Sequence, residues 1–282
     1  MTPDIDRYAV FGNPIAHSKS PQIHTLFAQQ SKQSLTYTAE LAEIGQFELA
    51  VRNFINNNGK GLNITVPFKE DAWSIASERS ERAQRAGAVN TLSLLPDGHL
   101  FGDTTDGVGL VRDLMQNHKI TLTDKDILVI GAGGAVRGVL ESILEQNPKS
   151  LLITNRTAHK AVQLADDFSD IGNIRGCGLT DTGSTYSHND FDIVINGTSA
   201  SLQGDLPALP DSIFRKNSCS YDMMYAKQET PFMQWSASCG AENIYDGLGM
   251  LVEQAAESFF LWRKVKPETA PVIEQIRQLL NK

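Results

Sequence analysis

Gly131-Ala132-Gly133 stands between the β-rich run Asp126 to Ile130 and a helix-forming stretch that reaches about Glu145. A strand, a glycine turn and a helix in that order make a phosphate site. The first glycine permits the tight turn, the second lets backbone approach a pyrophosphate, and the helix N-terminus favours its charge. Val136 occupies the third fingerprint position, where Gly or Ala is usual, so a ligand-free βα turn also fits this motif in isolation. The following strand, Leu151 to Thr154, leads into Asn155-Arg156-Thr157, with Lys160 on the next helix. NAD sites place a ribose-reading acid at about this point, and this chain has none. A guanidinium pairs with a 2′-phosphate that a carboxylate would repel. The pattern predicts NADP rather than NAD.

A second group of polar motifs lies in the first 110 residues. Ser18-Lys19-Ser20-Pro21 offers two hydroxyls and free N–H groups at a helix start, which suits a carboxylate; Ser20 as a simple N-cap is the plain alternative. Asn63-Ile64-Thr65-Val66-Pro67-Phe68-Lys69 sets Asn63 and Thr65 on one face of a strand end. Pro67 breaks that strand and leaves Lys69 near its edge, unless Lys69 is only a solvated helix-start lysine. Gly87-Ala88-Val89-Asn90-Thr91 puts an amide into another strand, and Gly102-Asp103-Thr104-Thr105-Asp106-Gly107 puts a carboxylate at a helix N-terminus, where an Asp cap is the plain alternative.

These motifs sit on alternating strands and helices, which implies parallel pairing and right-handed crossovers. Strands are expected at Tyr8 to Gly12, Thr36 to Leu41, Gly61 to Thr65, Val89 to Leu95, His99 to Gly102, Asp126 to Ile130, Leu151 to Thr154, Asp192 to Ile195 and Ser218 to Asp222. Pro96-Asp97-Gly98 reads as a hairpin turn. Helices are expected from Ser20, over Gln46 to Asn56, Asp71 to Ala76 and Glu78 to Ala86, from Asp106 to about Asn117, and over Ala158 to Phe168. The last 35 or so residues read as two amphipathic helices split by Pro267 and Pro271.

The chain has 282 residues, enough for about two domains. Its net charge of −8 argues against a broad nucleic-acid surface or a polybasic membrane binder. No apolar run approaches ~20 residues, so no membrane span is expected. The N-terminus lacks the apolar core of a signal peptide. Three widely spaced cysteines, Cys177, Cys219 and Cys239, suggest free thiols in a reducing cytoplasm, and the histidines show no metal-binding spacing.

Taken together and in order, Ser18 to Pro21, Asn63 to Lys69, Gly87 to Thr91, Thr105 to Gly107, Gly131 to Gly138, Asn155 to Thr157, Tyr221-Asp222-Met223-Met224-Tyr225 and Asp246 to Ala255 closely resemble the shikimate dehydrogenase family over nearly the whole chain. The resemblance implies an α/β fold of two domains: an N-terminal α/β substrate domain, residues 1–105 with 248–282, and an inserted Rossmann-type, doubly wound parallel-sheet NADP domain, residues 106–247. It implies NADPH-dependent reduction of the C3 ketone of 3-dehydroshikimate, with Lys69 and Asp106 as the catalytic pair. An ammonium can donate to the carbonyl oxygen and stabilise its growing negative charge, and a neighbouring carboxylate can orient it and hold a substrate hydroxyl. By the same resemblance Ser18, Ser20 and Tyr225 bind the substrate carboxylate, and Thr65, Asn90 and Gln254 its ring hydroxyls. Gly131, Ala132, Gly133, Gly134 and Ala135 form the pyrophosphate loop. Asn155, Arg156, Thr157 and Lys160 hold the 2′-phosphate, while Thr198, Met223, Gly247 and Glu81 line the nicotinamide end. The partners expected are a small-molecule substrate and no nucleic acid, membrane or metal, for a monomer or homodimer. Lys160 stands where relatives often have Arg, and Gly197 where they have Ala or Pro, which should loosen that loop. Two other readings stay open. A quinate/shikimate dehydrogenase with relaxed cofactor use is expected to carry an acid near Asn155, and a non-catalytic NADP-binding paralogue to lack Lys69 or Asp106. The negative chain should concentrate its positive charge at the ligand sites.

Overall fold

The computed structural model describes residues 5–179, 190–198 and 209–281; the leader-free reading of residues 1–4 lies outside them. The chain divides into two compact units, residues 1–109 with 252–280 and residues 110–251. The first is built on strands β1 (Asp6–Gly12), β2 (Leu35–Leu41), β3 (Gly59–Ile64), β4 (Glu78–Arg79), β5 (Thr91–Leu94) and β6 (Leu100–Asp103), in the spatial order β2-β1-β3-β5-β6-β4. β1 pairs in parallel with β2 and β3, and β5 runs antiparallel to both β3 and β6. The β5–β6 hairpin turns at Gly98, whose φ of +87° needs glycine.

Helices α1 (Ser20–Gln30), α2 (Phe47–Asn56), α3 (Lys69–Ile75) and α4 (Glu81–Ala86) join these strands. α2 buries Phe47, Val51 and Phe54, one helical stripe, against Phe11, Leu62, Ile64 and Phe68. Each such side chain contributes roughly 1.5–3 kcal/mol on burial.

Three local expectations need correction. Ser20 does not cap α1: it is the first helical residue, Lys19 stands at the cap position without a side-chain bond, and the Ser20 N–H donates to Ser18 Oγ at 3.3 Å. Glu78 to Ala86 is not one helix. Glu78–Arg79 pairs with β6, and Ser80 then caps α4 by accepting from the Ala83 N–H at 3.2 Å. Sheet pairing here outweighs the helix propensity of Glu78 and Arg79. Nor does Pro271 split the final helices, since it lies in the first turn of the last one, where a missing N–H costs nothing.

His24, one turn beyond Ser20, is 1% exposed. Its ring stacks on Tyr37 at 4.1 Å and meets Phe27 edge-on, and neither ring nitrogen has a hydrogen-bond partner. Burial pushes its pKa down to about 3. A folded-state value below the unfolded one means that the stability is fully present above about pH 6.5 and declines as pH falls towards 3. We expect His24→Phe to be at least as stable as the parent at pH 7, and to lose about 2 kcal/mol less on going from pH 8 to pH 5. Urea midpoints at both pH values measure this; equal losses in the two proteins would refute the role of His24.

The second unit carries β7 (Asp126–Ile130), α6 (Gly134–Leu144), β8 (Ser150–Asn155), α7 (Ala158–Asp166), β9 (Ile174–Gly178), β10 (Phe191–Asn196), β11 (Phe214–Asp222), α8 (Pro231–Ser238) and β12 (Asn243–Asp246). Helix α5 (Asp106–Arg112) runs into a π-helical turn, Asp113–Asn117, before β7; α9 (Leu248–Arg263) and α10 (Ala270–Asn281) complete the chain. The sheet order β12-β11-β10-β7-β8-β9 is parallel throughout, which is the doubly wound, Rossmann-type arrangement. Both faces are covered, so β7 is buried along its whole length. β9, α8 and β12 are short and lack a clean alternation, and sequence patterning passes over them. No helix of the described residues is long and apolar enough to cross a membrane.

Candidate active site

Lys69 begins α3 directly after the Val66-Pro67 turn. The preceding residue anchors it: Phe68 is 1% exposed and stacks on Phe47 at 4.9 Å. From there Lys69 Nζ reaches Asp106 Oδ2 at 2.5 Å, both side chains being largely buried. Asp106 is the first residue of α5, but its carboxylate does not serve as a plain cap. Its other oxygen accepts from Asn90 Nδ2 at 2.8 Å. The Asn90 amide also meets Thr105 Oγ1 at 3.0 Å and Gln254 Oε1 at 3.3 Å, while its Oδ1 accepts the Thr105 N–H at 2.9 Å. Lys69, Asp106, Asn90 and Gln254 thus form one hydrogen-bonded group within the first unit.

Supporting residues that sequence reasoning missed surround this group. Asn63, singled out only by its motif, donates to the Asn90 carbonyl and to Ser258 Oγ and accepts from the Tyr37 hydroxyl at 2.7 Å. Ser258 lies four residues beyond Gln254 on α9, and its hydroxyl also lies 2.8 Å from that of Thr91. Arg82 grips both oxygens of buried Asp103 at 2.7 Å, holding the end of β6 three residues before Asp106. The Arg82–Asp103 pairing joins separate elements and leaves no local sequence signal; the i, i+4 spacing of Gln254 and Ser258 was the available clue to the latter.

Ser20 is buried, and Ser18 and Thr65 are half-buried. Thr65 packs where Gly12 leaves room: a Cβ at Gly12 would fall 2.4 Å from Thr65 Cγ2. Glu81 is exposed in the first turn of α4.

In the second unit Gly131 adopts φ +110°, and its N–H donates to the Thr154 carbonyl at 2.7 Å. Space is open where side chains would stand at Gly133 and Gly134, the cap and first residue of α6. The turn therefore presents unobstructed N–H groups at a helix N-terminus, at the switch between β7 and β10 where open α/β sheets bind ligands. Ala132 and Ala135 lie within that loop and first turn. Val136 and Gly197, the two departures noted in the sequence, explain each other. A Cβ at position 197 would lie 2.3 Å from Val136 Cγ2, so the larger residue on α6 requires the smaller one after β10. Gly197 N–H donates to Ile130 O at 2.9 Å, and Thr198 donates through both N–H and hydroxyl to Asn196 Oδ1; the rest of the loop in which loosening is expected, residues 199–208, lies outside the described residues.

Asn155 Nδ2 donates to the Thr157 carbonyl at 3.1 Å, shaping the turn that carries Arg156. Arg156 and Lys160 are exposed and make no ion pair with another described residue. This cradle fits a pyrophosphate and a 2′-phosphate. Met223 N–H donates to Asn196 O at 2.9 Å, and Gly247 packs so tightly that a Cβ there would fall 2.2 Å from the Met223 carbonyl. Tyr225 is half-buried, and burial, then the Asp246 charge, raises its pKa. No group of three or more His, Cys, Asp or Glu that could hold a metal occurs among the described residues.

Family models match three stretches: the shikimate dehydrogenase substrate binding domain over residues 10–92, shikimate / quinate 5-dehydrogenase over 113–203, and the shikimate 5′-dehydrogenase C-terminal domain over 247–277. The chain is 56% identical to shikimate dehydrogenase (NADP(+)) of Vibrio campbellii, over 100% of this chain and 99% of that one. Among solved structures, an Ael1 enzyme from Pseudomonas putida is 44% identical with a TM-score of 0.88, covering 96% of this chain and 97% of that one. Shikimate 5-dehydrogenase from Thermus thermophilus, solved with NADP(H) and shikimate, is 29% identical with a TM-score of 0.86, covering 98% of this chain and 100% of that one.

Proposed function

The chain belongs to the shikimate dehydrogenase family, and from that premise we propose that Lys69 and Asp106 perform its proton chemistry. The enzyme catalyses the reversible NADP-dependent reduction of 3-dehydroshikimate to shikimate. The observation that carries the residue assignment is the 2.5 Å Lys69–Asp106 ion pair, held by the Asn90 amide in a largely buried setting. When bound, NADPH supplies the hydride. Lys69 Nζ donates a proton to the C3 oxygen as negative charge develops there, and its charge stabilises that oxygen before the proton moves. Asp106 orients the Lys69 ammonium and accepts from the adjacent substrate hydroxyl. Thr65, Asn90 and Gln254 bind the remaining ring hydroxyls. Ser18 and Ser20 donate to the substrate carboxylate, with the Tyr225 hydroxyl as a further donor.

Residues 1–105 with 248–282 serve the substrate in this reading, and residues 106–247 the cofactor. Gly131 to Ala135 hold the pyrophosphate through backbone N–H groups, and Asn155, Arg156, Thr157 and Lys160 hold the 2′-phosphate. Thr198, Met223 and Gly247 line the nicotinamide end, and the family resemblance assigns Glu81 to that end as well. The three free cysteines fit a reducing compartment, and we place the enzyme in the cytoplasm as a monomer or homodimer acting on a small molecule.

Turnover tests this directly. The purified protein should reduce NADP with shikimate, and much more slowly with NAD or with quinate, as followed by reduced-nicotinamide absorbance. No turnover with shikimate and NADP refutes the reading; comparable rates on quinate or NAD would favour the relaxed dehydrogenase. Arg156→Ala should raise the KM for NADP by about 10- to 100-fold, the worth of one or two charge-assisted hydrogen bonds, and leave the KM for NAD nearly unchanged. The NADP affinity of the parent should also fall as salt rises, because these cations are exposed.

A further inference from the structure

Asp113 is a buried carboxylate that the reaction scheme above leaves unused. It is 1% exposed and opens the π-helical turn Asp113–Asn117, closed by the His118 N–H donating to the Asp113 carbonyl at 3.0 Å. Single π turns are uncommon and recur at functional sites, because the extra residue redirects a side chain that a regular helix would place elsewhere. Asp113 Oδ2 accepts from the Tyr221 hydroxyl at 2.6 Å, and Oδ1 accepts from Asn117 Nδ2 at 2.8 Å. His118 Nε2 lies 3.5 Å from Oδ2.

The same carboxylate presses on a second segment. A Cβ at Gly249 would stand 1.9 Å from Asp113 Oδ1, so only glycine admits the contact. Gly249 is the second residue of α9, at the helix end whose dipole favours negative charge. Asp113 therefore joins two chain segments, β11 through Tyr221 and the start of α9 through Gly249. Met223 lies two residues after Tyr221, and Gly247 two residues before Gly249. The Gly247 carbonyl is held in the first turn of α9 by the Leu251 N–H at 2.9 Å.

We propose that Asp113 is the positioning residue of the nicotinamide half of the cofactor site: its carboxylate ties Tyr221 to the first turn of α9 and so sets the placement of Met223 against Gly247. The proposal rests on the reading that Met223 and Gly247 line that half. A buried carboxylate opposite one partly exposed histidine is a costly way to fill space, and outside its own turn its contacts are with these two segments.

The test compares the whole cofactor with a fragment that lacks the nicotinamide, 2′-phospho-ADP-ribose. In Asp113→Asn the Kd for NADP+ should rise about tenfold and kcat should fall by a similar factor. The Kd for the fragment should stay within twofold, which a loss of general structure would not leave unmoved. Tyr221→Phe removes one hydroxyl only and should shift the same two quantities about threefold, again sparing the fragment. Gly249→Ala should behave like Asp113→Asn, and the double variant Asp113→Ala/Gly249→Ala should be better than Gly249→Ala alone, since the added methyl then has room. The proposal is overturned if Asp113→Asn and Tyr221→Phe leave NADP+ binding and kcat within twofold, or weaken fragment and cofactor alike. A parent protein that bound neither molecule would instead refute the family activity, and the proposal with it.

Discussion

Lys69→Met should lower kcat in both directions by about 10³-fold while leaving the KM for NADP within a factor of two. The magnitude combines a lost proton donor, worth about 10²–10⁴ in rate, with loss of a fixed positive charge beside the developing alkoxide. Met matches the length of the lysine stem, and the start of α3 is held by Phe68 in the core rather than by the ammonium. The fold should therefore survive. Asp106 would keep Asn90 as a donor but lose its counter-charge, for a cost of about 1–3 kcal/mol in stability. Steady-state kinetics and a thermal melt measure both quantities. A variant with near-parental kcat and only a raised KM for shikimate would make Lys69 a binding residue and nothing more.

Asp106→Asn should lower kcat by about 10²-fold and raise the KM for shikimate. An amide can still accept from Asn90, so the local fold is preserved, but it no longer holds the ammonium by charge and accepts more weakly from the substrate hydroxyl. Since the two groups are in direct contact, the double variant Lys69→Met/Asp106→Asn should be no more than about tenfold slower than Lys69→Met alone. Fully multiplicative losses would show that the residues act independently and would dismantle the pair as a unit.

Much of this site was legible in the sequence because its signals are local. The strand before Gly131, the open positions at Gly133 and Gly134, and the cations at Arg156 and Lys160 all lie within one βαβ stretch, and the parallel sheet places them as that pattern requires. Local signals also misled. Ser20 followed by Pro21 reads as a cap, yet Ser18 supplies the acceptor two residues earlier. Glu78 and Arg79 read as helix, yet strand pairing with β6 takes them, and Ser80 starts the helix instead. Val136 and Gly197, 61 positions apart, were separate anomalies until the fold put one side chain into the space that the other leaves empty.

By itself the sequence determined the α/β alternation, the glycine turn between strand and helix, the expectation of NADP and the inventory of polar residues. Those properties follow from residue type and from spacings of a few positions, where backbone geometry alone decides what can meet. Tertiary structure decided which of two uses each polar residue has. Asp106 could have been a cap, and becomes the partner of Lys69, 37 residues away. The reason is that β3 and β6 flank β5 and both run antiparallel to it, so the ends of β3 and β6 meet the start of β5 at Asn90. Asp113 gave no motif at all; a π turn aims it at Tyr221, 108 residues on, and at the one glycine that leaves it room. Buried carboxylates must find donors, and in a folded chain those donors come from wherever the sheets deliver them, not from the neighbouring sequence.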